Sequence, residues 1–100
     1  MDSYNKLMQF AQHYCYNARI IRSTRGTNMT AIDLDKFHIE ASNSDDNPNI
    51  FCDLYHDYRL IHSCMAKDVK KLHTDIDHTI TLIKEDEAMS HIHMTHMQNA

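Results

Sequence analysis

The sequence predicts an all-α fold: a small helical domain of about three helices with one long amphipathic C-terminal helix, assembled as a dimeric helical bundle. Three observations point there. The chain of 100 residues has one glycine, Gly26, and one proline, Pro48, and sheets with tight turns ordinarily draw on more of both. Beyond Pro48 neither residue occurs again. Over that same half, apolar residues recur at helical spacing.

The first helix is predicted over residues 3–25. Asp2 or Ser3 can accept from the exposed N–H groups of its first turn. Tyr4, Leu7, Met8, Ala11, Tyr14, Cys15, Ala18 and Ile21 form its apolar stripe. Arg19, Arg22 and Arg25 complement the helix dipole in the last turns, and Gly26 supplies the left-handed residue that ends it.

A short second helix is expected over residues 31–41. Thr30 and Asp33 fit a capping box, and Met29 and Leu34 fit a hydrophobic staple. Strand-like alternation is also present, in Ile32 and Leu34 and again in Phe37, Ile39 and Ala41, but the two runs are out of phase. Residues 42–47 read as a solvated loop. Asn47 then serves as N-cap, with Pro48 at the first helical position.

The third helix is the longest. Phe51, Leu54, Tyr58, Ile61, Met65, Val69, Leu72, Ile76, Ile80 and Ile83 hold a period near 3.6. Thr74 and Asp77 could cap a new start, so a break near His73 is the alternative. Unbroken, about 36 residues make a rod of roughly 54 Å, longer than the other helices cover unless laid end to end. Its distal stripe, Val69, Leu72, Ile76, Ile80 and Ile83, is therefore expected to be the interface of a homodimer. Residues 1–90 form the single helical domain, and residues 91–100 a flexible His/Met-rich tail.

Composition bounds the function. Apolar residues are 42% and charged residues 24%, ordinary for a globular domain. A net charge of −4 argues against general nucleic-acid binding. Nine histidines make that charge soft, since protonating all of them carries it from −4 to +5. Cys15, Cys52 and Cys64 are odd in number and form no C-x-x-C pair, and no apolar run approaches a signal or membrane span. Reduced thiols and a cytoplasmic location are expected. Ile, Asn, Lys and Tyr outnumber Gly, Ala, Pro and Arg, as in the AT-rich genomes common among phages, viruses and plasmids.

The chemistry-bearing residues are few. His91, His93 and His96 of the tail suit adventitious divalent metal, with Met94 and Met97 adding a taste for copper. His62 and His73 lie at the edge of the long stripe, roughly 16 Å apart along one helix, too far to share an ion. At a dimer seam their protonation would drive dissociation between about pH 7 and 5. Asp53 and His56 have the i, i+3 spacing of carboxylate-bridged metal bundles but point away from the stripe. Cys52, with His56 one turn on, is a Cys–His pair lacking an orienting third group and an oxyanion device. Lys67, Lys70 and Lys71 form a local basic group for the nucleic-acid alternative.

No catalytic residues and no cofactor are assigned. The expected function is a non-catalytic interaction or regulatory protein acting through a helical surface on itself and on an unidentified protein. The alternatives are a histidine-based metal- or pH-responsive binder and a nucleic-acid binder.

Overall fold

Three two-residue turns, at positions 35–36, 45–46 and 57–58, fold the middle of the chain into an antiparallel meander. The computed structural model describes residues 2–98, with side chains through residue 90. The elements run α1 (Ser3–Gln12), β1 (Ile21–Arg22), β2 (Thr27–Leu34), β3 (Phe37–Ser44), β4 (Asn47–His56), β5 (Arg59–Ala66) and α2 (Val69–Gln98). The strands form one sheet in the order β1-β2-β3-β4-β5. Both helices pack on one face of it, α1 over β2 and β3, α2 over β5 and β4.

This overturns the all-α expectation and the helical bundle with it. The turns need little glycine because polar and even aromatic residues take the left-handed positions. Asp35 has φ 56°, Asp57 φ 48° and Tyr58 φ 67°. Two successive positive φ values at Asp57 and Tyr58 are what a type I′ hairpin requires. Gly26, at φ 81°, turns β1 into β2 instead of ending a helix.

The phase slip between Ile32–Leu34 and Phe37–Ala41 is the first hairpin. A two-residue turn pairs Leu34 with Phe37, which reverses the alternation and keeps both runs on the core face. Thr30 is buried in β2 and donates to the Arg19 carbonyl at 2.8 Å, so it caps no helix. In β4, Ile50, Cys52 and Leu54 face the helices while Phe51 faces away. The apparent 3.6 period from Phe51 to Met65 thus spliced residues from both sheet faces onto a real helix. That helix starts at Val69, where Asp68 accepts from the Lys70 N–H at 2.9 Å, and it runs through His73 without a break.

α1 keeps its predicted start, with Asp2 as N-cap accepting from Asn5 N–H at 2.7 Å. It ends at Gln12, not near residue 25. The arginines predicted for its last turns leave it entirely: Arg22 lies in β1, donating to Asn28 Oδ1 at 2.8 Å and pairing with Asp45 at 2.5 Å. Asn47 and Pro48 open a strand, not a helix, and Lys6 of α1 donates to the Pro48 carbonyl at 2.6 Å.

The core is a single cluster. Leu7, Phe10 and Ala11 of α1 and Leu72 and Ile76 of α2 meet Ile32, Phe37, Ile39, Ala41, Ile50, Cys52 and Leu54 of the sheet. Beside it, Asn28 Nδ2 donates to Asn43 Oδ1 at 2.9 Å, and Asn43 Nδ2 donates to the Ser3 carbonyl at 2.8 Å. Those bonds satisfy two buried amides that would otherwise be unfavourable and fasten the start of α1 to the sheet.

Candidate functional site

Among the described residues nothing covers the face of the sheet away from the helices, and cross-strand register sorts its side chains into rows. One row crosses all five strands: Ile21 opposite Met29, then Ser42, Phe51 and Met65. Its apolar members are 74%, 57%, 43% and 60% exposed in the order Ile21, Met29, Phe51, Met65. Large apolar side chains so exposed and so contiguous are unusual on a lone domain. A shallow depression on this face is lined by Arg19, Ile21, Met29, Phe51, Glu40 and Asp53.

The next row is acidic. Glu40 and Asp53 are direct cross-strand partners, an arrangement of like charges that is destabilising without compensation. Ser63 donates to Asp53 at 2.7 Å. His38 stands between Asp33 and Glu40, its Nδ1 2.6 Å from Asp33 Oδ1 and its Nε2 3.2 Å from Glu40 Oε1. The Asp33 bond, helped by Glu40, holds its pKa above the usual histidine value. Arg19 shares the depression with Glu40 and Asp53 yet makes no ion pair among the described residues.

A second cluster lies under α2. His62 and Cys64, two apart on β5, share the helix-facing side because strand side chains alternate. Asp75 of α2 reaches down to them, its Oδ2 3.0 Å from His62 Nε2. One ligand atom from each of the three lies within 4.8 Å of the others. The His62 bond holds the Asp75 carboxyl below its usual range. Burial, then Asp75, pushes the Cys64 thiol up to about 11. Cys52, the direct cross-strand partner of Cys64, is buried, and that burial pushes its thiol up as well.

A third group joins His56 at the end of β4, Asp57 in the turn and Glu87 of α2. Glu87 stands 2.6 Å from His56 Nε2 and Asp57 3.7 Å from Nδ1. The carboxylates approach different ring nitrogens, although one ring nitrogen and an oxygen of each lie within 4.8 Å of one another. This group ties α2, at Glu87, to the end of β4.

The predicted site residues are scattered by the fold. Leu72 and Ile76 are fully buried in the chain's own core, with Val69, Ile80 and Ile83 packed against it. The oily ridge of α2 is therefore covered by the chain's own core at Leu72 and Ile76 and partly at Val69, Ile80 and Ile83. Asp53 and His56 fall on opposite faces of β4, which removes the bundle-type metal motif. Cys52 and His56 share a face of one strand but stand four residues apart along it, roughly 13 Å, and so do not meet as a pair. Lys67, Lys70 and Lys71 are exposed around the start of α2, the last two in a shallow depression with Asp75 and His78. His91, His93 and His96 lie outside the residues whose side chains are described. His62 and His73 belong to different elements, β5 and α2.

Sequence reasoning missed both the open sheet face and the His62–Cys64–Asp75 cluster. The signal for the second was His62-x-Cys64, which shares a face in a strand but not in a helix. No family model, curated protein or solved structure matches the chain. Among the described residues, no helix is long and apolar enough to cross a membrane.

Proposed function

We propose that this protein is a non-catalytic interaction module whose working surface is the uncovered sheet face, and that the occupant of that face is a second copy. The observation that carries the reading is the exposed row Ile21, Met29, Phe51 and Met65. Two sheets stacked face to face, about 10 Å apart, would bury both rows.

Area and charge favour self-pairing. The five strands hold 36 residues in all, and at about 3.3 Å per residue and about 4.8 Å between strands they give a face of roughly 570 Å². Two such faces bury roughly 1,150 Å², the size at which weak and transient associations sit. The acidic pair Glu40–Asp53 would be unfavourable in a sealed seam unless matched by a cation. A two-fold axis can bring each copy's Arg19, near the β1 edge, against the other's Glu40 and Asp53. Interfaces of this size, apolar in one row and charged in the next, suit association that forms and dissolves.

Sedimentation velocity across a wide concentration range tests the reading. The unmodified chain is expected to move from monomer to dimer, and Phe51→Glu with Met29→Glu to stay monomeric with unchanged circular dichroism. A chain monomeric at millimolar concentration, or a dimer indifferent to those two changes, would overturn it.

A further inference from the structure

We infer that His62, Cys64 and Asp75 form a site for a single divalent transition-metal ion of zinc type, held between β5 and α2. The site lies on the opposite side of the sheet from the dimer face and does not depend on it.

The donor set is the first argument. One imidazole nitrogen, one sulfur and one carboxylate oxygen are the three ligand types zinc takes. Calcium and magnesium prefer oxygen alone, so the sulfur selects against them.

Geometry is the second. Zinc bonds of about 2.0–2.3 Å in a tetrahedron place ligand atoms roughly 3.3–3.8 Å apart. The three donors already lie within 4.8 Å of one another, with His62 Nε2 and Asp75 Oδ2 at 3.0 Å. The separations differ from such a tetrahedral edge by about 1.5 Å at most. His62 and Cys64 sit on a strand hydrogen-bonded to β4, just past an irregularity at Ile61, and Asp75 on the second turn of a helix. A site on such elements loses little chain entropy when it fills, unlike a chelate on an extended tail.

The surroundings are the third. His62 and Cys64 are partly buried at the seam between helix and sheet and the Asp75 side chain is more exposed, with the buried Cys52 behind Cys64. Asp75 also lines a shallow depression that holds His78, one turn along the helix. Three protein ligands and a fourth position facing water is the open form of a zinc site. Without metal, the His62–Asp75 bond is one tie between β5 and α2. With it, the sulfur joins the same tether and the ion adds folding stability through linkage.

Cobalt(II) is the probe, because thiolate coordination gives a near-ultraviolet charge-transfer band and tetrahedral geometry gives intense visible bands. The full chain is used with His91, His93 and His96 changed to alanine, which removes competing imidazoles. One equivalent of cobalt should produce both bands, and zinc should bleach them. Cys64→Ser should abolish the charge-transfer band, while Cys15→Ser leaves it intact. Asp75→Asn, at a more exposed position that the fold tolerates, should raise the dissociation constant by roughly tenfold or more. Bands that survive Cys64→Ser, an affinity indifferent to Asp75→Asn, or no charge-transfer band in a chain whose circular dichroism is native would each overturn the assignment.

Discussion

His13 and His73 stack face to face, ring centroids 3.8 Å apart and planes 15° from parallel, where the end of α1 meets α2. Each ring has a second attachment. His13 Nε2 lies 3.0 Å from Asp77 Oδ2, and His73 Nε2 donates to the Phe10 carbonyl at 3.2 Å. That carbonyl is one of the unpaired acceptors at a helix C-terminus, so the neutral His73 ring closes α1 onto α2. Phe10 and Tyr14 complete the aromatic cluster.

Acid should loosen this junction. Burial, joined by His13, pulls the His73 pKa below its ordinary 6.5, against the opposing pull of the Phe10 bond and Asp77. A histidine with a lowered folded pKa contributes stability above its unfolded value, which is lost as pH falls through the folded one. The melting temperature should therefore fall as pH drops from about 7 to about 5. His38, whose pKa is raised, contributes in the opposite sense, and its contact is largely exposed and screened. A His73→Phe variant keeps the stack without the proton and should flatten the acid limb; an unchanged slope would refute the assignment.

Stability should be lost from α2 irrespective of dilution. Ile76 is fully buried against the sheet, so Ile76→Ala should destabilise the chain by about 2–5 kcal/mol. Leu82 is 51% exposed on the same helix, and Leu82→Ala should cost less than about 1 kcal/mol. Denaturant melts at two protein concentrations check both values. An Ile76→Ala effect that appears only on dilution would place this residue at a seam between copies after all.

Two backbone changes should act in opposite directions. Tyr58 is fully exposed at φ 67°, so Tyr58→Gly relieves a left-handed strain of roughly 1–2 kcal/mol, offset in part by unfolded-state entropy. Gly26 also has φ 81°, and a Cβ there would meet Asp45 Oδ2 at 2.6 Å. Gly26→Ala should destabilise by at least about 1–2 kcal/mol, because it adds a clash with the partner of Arg22 and Ser3. Thermal melts that rank these variants the other way would contradict the turn geometry.

Parts of this architecture were legible in the one-dimensional pattern. Asp2 as the N-cap of α1 and the helical stripe from Val69 to Ile83 correspond to real features, whereas the solvated loop expected over residues 42–47 shrinks to the turn at 45–46, with Asn43 buried in β3. The reversal of alternation between Leu34 and Phe37 was visible too, and only its meaning was misassigned. β4 and β5 were harder to see because both faces carry large apolar residues: Phe51, Ile61 and Met65 outside, Ile50, Leu54 and Cys64 inside. Without a polar face, a strand has no clean period of two, and a period near 3.6 can be drawn through it.

Residue order alone determined local matters: a small domain's worth of apolar surface, the N-cap of α1, the amphipathic stripe of α2 and a charge that histidine protonation can reverse. Only tertiary structure decided what that stripe faces and which distant donors meet. Local propensity is worth tenths of a kcal/mol per residue, whereas burying one large side chain is worth roughly 1.5–3 kcal/mol. The packing of the whole chain therefore chose sheet over helix between residues 21 and 66. Pairing β4 with β5 beneath α2 brought His62, Cys64 and Asp75 together and left Phe51 and Met65 facing water.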